Sequence, residues 1–134
     1  MSIESFDPKA VGAQPQQLDA AALQRLVQAA ADTPPSFGLS QLERERFATV
    51  SAHSAATWAA AVASLEVDVI CNLIRFFTLA EESISGWQAG SKSPVIALVR
   101  ALKTRDAYPA ELTTWIKANT TNRFLPHGSL MDRL

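Results

Sequence analysis

An all-α domain of about five helices is the fold class this sequence predicts, on three observations. Apolar residues recur at helical spacing, no stretch alternates with a period of two, and no Asn-Gly or Asp-Gly pair marks a tight strand connection. The 134 residues, 48% hydrophobic and 19% charged, suit one globular core. Turn-forming clusters at Thr33-Pro34-Pro35-Ser36, Ser85-Gly86, Gly90-Ser91, Tyr108-Pro109 and Pro126-His127-Gly128 divide the periodic segments.

Residues 1–15 read as a flexible N-terminal arm, and residues 16–134 as a single helical domain. Glu4, Asp7 and Lys9 in the arm, with no apolar run behind a basic start, do not form a secretory signal, so the expected location is cytoplasmic. The first helix is expected over Gln16 to Ala31, with Leu18, Ala22, Leu26 and Ala29 along its buried face. The second opens at Ser40, where Ser40-Gln41-Leu42-Glu43 has the form of a capping box. Its apolar face is read as Leu42, Phe47 and Val50, continuing to Trp58, Ala61, Val62 and Leu65. So long a run calls for a break near Ser51 to Ser54, after which Ser54 caps a shorter helix from Ala55 to about Ala63.

Leu65 to Ile84 is the central element. At 100° per residue its apolar side chains fill an arc of about 220°, much wider than the stripe of a surface helix. The remaining face carries Ser64, Asp68, Cys71, Asn72, Arg75, Thr78, Glu82 and Ser85, interrupted only by Leu79. Ser93-Pro94 then supplies an N-cap and a first helical residue for a helix ending near Asp106. Val95, Ile96, Leu98, Val99 and Leu102 form its buried side, and Lys103 and Arg105 complement the negative end of its dipole. Pro109 starts a last helix seated by Leu112, Trp115 and Ile116. The tail from Thr120 to Leu134 is irregular yet holds Phe124, Leu125, Leu130, Met131 and Leu134, which can cover either this bundle or a neighbouring subunit.

Composition excludes several functions. Twelve basic and thirteen acidic residues give a formal charge of −1, unlike a polybasic membrane-binding or histone-like protein. The charge-free stretch between Arg46 and Glu66 is rich in alanine and interrupted by Ser51, His53, Ser54 and Thr57, which reads as a soluble helix and not a membrane span. One cysteine, Cys71, precludes an intrachain disulfide. With His53 and His127 far apart and no Cys-x-x-Cys or His-Glu-x-x-His, no metal site or other cofactor is expected. Glu81 and Glu82 diverge by 100° on a helix and do not share a site. Cys71 reads as a small buried hydrophobe, although Arg75 lies within reach to lower its pKa.

Candidate site residues therefore come from two places. On the polar strip, Asp68, Asn72, Arg75 and Glu82 are candidate ligand-binding residues, Arg75 being suited to a carboxylate or phosphate; the strip reads equally as a solvated face. In the loop from Gly86 to Ser93, Lys92 beside a helix N-terminus is an anion-contact candidate, although the order Gly90-Ser91-Lys92 does not meet the Walker pattern. Charge is also divided unequally, with net −5 over residues 1–91 and net +4 over residues 92–134. In the basic half, residues 94–119 have the outline of a helix-turn-helix, with Thr113, Thr114, Lys117 and Arg123 placed to meet nucleic acid. The expected function is a non-enzymatic one, through homodimer formation or contact with another protein; the alternative is a nucleic-acid-binding module, and an enzyme using Asp68, Arg75 and Glu82 stands third.

Overall fold

Each helix start is marked by a side chain that takes up backbone N–H groups left without an intrahelical acceptor. The computed structural model describes residues 18–32, 37–84 and 86–122. Among these residues there are six α-helices and no strand: α1 (Ala20–Ala30), α2 (Gln41–Phe47), α3 (Ala55–Val62), α4 (Val67–Ser83), α5 (Pro94–Thr104) and α6 (Ala110–Asn119). Two 3-10 turns, Val50–Ala52 and Gly90–Lys92, join them. The arm 1–15 and the tail beyond Asn122, including Arg123, lie outside the described residues.

Helix α1 begins later than its apolar pattern suggests. Asp19 is the N-cap and its Oδ1 accepts from Ala22 N at 2.9 Å, which fixes the start at Ala20 and leaves Leu18 half-buried ahead of the helix. The capping box at Ser40 is present in full: Glu43 N donates to Ser40 Oγ at 3.1 Å, and Ser40 N donates to Glu43 Oε1 at 3.0 Å. The same Glu43 receives Arg25 from α1, through Nε at 2.8 Å and Nη2 at 3.1 Å, a two-pronged contact that joins the two helices.

Leu42 does not share the face of Phe47. It is 64% exposed, because five positions on a helix correspond to a rotation of about 140° and only Phe47 points inward from this short segment. The expected break follows: the chain turns through Val50–Ala52, Trp58 Nε1 donates to Val50 O at 3.2 Å, and Ser54 Oγ accepts from Thr57 N at 3.1 Å to start α3.

Helix α4 is the axle of the molecule. Ile70, Leu73, Ile74, Phe76, Phe77 and Ala80 are buried, and the helix packs against α1, α5 and α6, while α3 lies on α5. Its polar strip is narrower than the sequence suggests. Cys71 and Thr78 are buried in it, and Thr78 remains satisfied because its hydroxyl donates to Ile74 O at 2.7 Å. Phe76 and Phe77 stand at the middle of an aromatic cluster in which Phe37, Trp58 and Trp87 approach ring to ring at 4.8, 5.5 and 5.8 Å. Phe37 joins from a loop with φ at 54°, in the left-handed region, next to Gly38 at 70°.

Arg105 does not serve the end of its own helix. As the C-cap of α5, it reaches across to the C-terminus of α3, donating to Leu65 O and Val62 O at 2.7 Å each and to Ala63 O at 3.0 Å. A fixed, planar array of donors meets carbonyls that have no helical partner.

Candidate functional site

The strip on α4 does not assemble one site. Asp68 and Asn72 are exposed near the start of the helix. Arg75, half-buried, lies over the Trp115 ring from α6 at 6.0 Å to the centroid. Glu82 accepts from Thr121 N at 2.9 Å and from the Thr120 and Thr121 hydroxyls, so this carboxylate anchors the segment after α6. Lys117 and Thr114 are exposed on α6, while Thr113 lies 2.7 Å from the Tyr108 hydroxyl. Helices α5 and α6 each pack on α4. Burial raises the pKa of the Cys71 thiol and outweighs the lowering effect of Arg75, so the thiol stays protonated.

Concavity appears elsewhere, where two capped helix starts meet. A groove of about 270 Å³ runs between the starts of α3 and α5, lined by His53, Ser54, Trp58, Lys92, Ser93 and Ile96 among others. Both helices direct their N-terminal N–H groups to this region, although Ser54 and Ser93 already occupy part of that donor capacity as caps. Lys92 is exposed at the rim. The outer side of α3 beside it is almost all methyl groups: Ala55, Ala56, Ala59, Ala60 and Ala63 are exposed, and only Trp58 and Val62 are buried within the helix.

Behind Ser93 lies a carboxyl group that the pattern of charges did not single out. Glu81 is 4% exposed, and its Oε2 accepts from Ser93 Oγ at 2.6 Å. Desolvation pushes its pKa up to about 7; the Ser93 hydrogen bond works against this, the Glu82 charge adds to it, and Asn122 works weakly against it. No hydrogen bond reaches Oε1. Asn122 instead gives its Nδ2–H to Gly90 O at 3.0 Å. Ser93 is no nucleophile in this setting. Its proton goes to Glu81, its lone pair receives Val95 N at 3.2 Å, and the residue is 3% exposed.

A small notch lies against Glu81, lined by Phe47, Ala48, Val50, Ser51, Phe77, Trp87 and Pro94, with a volume of about 10 Å³. It shares Ser51 and Pro94 with the larger groove. The one sequence signal for Glu81 was that two adjacent acids on a helix cannot both face water when the helix is wrapped on more than half its girth. No group of three or more His, Cys, Asp or Glu that could hold a metal occurs among the described residues. No helix among them is long and apolar enough to cross a membrane. Compared with protein-family models, curated proteins and solved structures, the chain has no match.

Proposed function

We propose that this protein acts by binding and not by catalysis, using the outer face of α3 and the adjoining groove to contact a second copy of itself. The observation that carries this reading is the absence of Asp, Glu, Lys and Arg from the nineteen positions between Arg46 and Glu66, whose exposed portion forms that face. Protein interfaces lose charged residues at their centres, and small side chains let helix backbones approach closely. A surface without charge has no electrostatic partner to select. A second identical face, related by a two-fold axis, matches it in shape and in chemistry. The lone buried Cys71 suits a reducing, cytoplasmic setting for such a protein.

Light scattering after size exclusion tests the reading. The native chain is expected to run as a dimer at micromolar concentration, and Ala60→Glu, which sets like charges against each other across the axis, is expected to run as a monomer with an unchanged circular dichroism spectrum. A native monomer under these conditions overturns the proposal.

A further inference from the structure

The notch beside Glu81 poses a problem of satisfaction that stands independently of any dimer. A carboxylate oxygen removed from water needs a donor, and Oε1 has none. The space in front of it is about 10 Å³, the size of one water or one ammonium group, and it is half-open to solvent. Water is a poor occupant here. It gains Oε1 and at most the nearby Ser51 hydroxyl, whereas the rest of the wall is carbon, and a held water ordinarily keeps about three polar partners. Three of the wall residues are aromatic, Phe47, Phe77 and Trp87, and aromatic rings attract weakly hydrated cations. The indole N–H of Trp87, which would repel a cation, donates to Arg44 O at 2.7 Å.

We propose that this notch is a binding site for the ammonium head of a small primary amine, which donates to Glu81 Oε1 between the rings of Phe47, Phe77 and Trp87, its alkyl stem leaving through the open side. A metal ion is not favoured, since Glu81 is the only carboxylate at the notch and most of its wall is apolar. The Ser93 hydrogen bond fixes the carboxyl group from behind, so Oε1 is oriented before the ligand arrives.

Methylammonium chloride is the probe. At pH 8 the Trp87 indole resonance in a ¹H–¹⁵N spectrum is expected to shift saturably with methylammonium, and not with equal concentrations of tetramethylammonium chloride, which lacks N–H donors, or potassium chloride. Glu81→Gln removes the charge and Ala48→Leu fills the notch while keeping the carboxyl; each is expected to weaken binding by about tenfold or more. An equal response to potassium or tetramethylammonium, an undiminished shift in either variant, or no shift at all in the native protein overturns the assignment and leaves the notch to water.

Discussion

A glutamate whose ordinary value is 4.5 and whose folded value is about 7 holds its proton more tightly after folding than before. Glu81 therefore lends its full stabilisation below pH 4.5 and loses it as pH rises through 7, a decline of about 3 kcal/mol for a group this deeply buried. The groups that set this behaviour are Glu82 on the same helix, Ser93 at the start of α5, and Asn122 after α6. Urea denaturation from pH 4 to pH 8 is expected to show native stability falling relative to Glu81→Gln by that amount; parallel curves for the two proteins would remove Glu81 from the account. Glu43 works in the opposite sense. Its hydrogen bond with Arg25, reinforced by the backbone of Ser40, holds it at about 2, so its contribution is present above pH 4.5 and fades as pH falls toward 2. It is common to both proteins and cancels in the comparison. Little of this was legible at the level of single residues. Glu81 and Glu82 are identical in the sequence, and only the arrival of Ser93 and Thr121 from distant segments gives one a buried hydroxyl and the other a surface tether.

Among the elements, the caps were the most readable feature, because Ser40, Ser54 and Ser93 act within three residues of themselves. What the pattern could not show was the partner of each helix end. Lys103 and Arg105 looked like complements to the α5 dipole, but Arg105 faces three carbonyls at the end of α3, which depends on how the two helices cross. Removing this guanidinium with Arg105→Ala is expected to cost about 1–3 kcal/mol, since part of the released hydrogen bonding is recovered from water. Amide exchange provides the check: protection should fall in α3 before it falls in α4, and equal protection in both proteins would show the clamp to be idle. Leu42 illustrates the other limit. A seven-residue helix has too few apolar positions to define its buried side, so one outward leucine was indistinguishable from a core residue.

At the scale of the whole molecule, the breadth of the apolar arc on 65–84 was enough to identify the axle, because no other segment offered so wide a face. Phe37 was not legible, since it enters the core from a loop with no periodicity of its own and meets Phe76 only through tertiary placement. With its aromatic centre spanning a loop, α3, α4 and the 84–90 connection, the core is expected to break as one unit. Phe77→Ala should cost about 3–5 kcal/mol, a large part of the 5–15 kcal/mol typical of a domain. Tryptophan fluorescence and circular dichroism should report the same urea midpoint in that variant, and separated midpoints would show that the aromatic cluster does not unite the helices.

The clamp at Arg105 also bears on synthesis. Its guanidinium closes carbonyl groups about forty positions upstream, so a growing polypeptide emerges with the short alanine-rich helix still unfinished at one end. A chain released before that arginine carries a frayed, methyl-coated segment, the kind of surface on which nascent proteins adhere to one another or to chaperones.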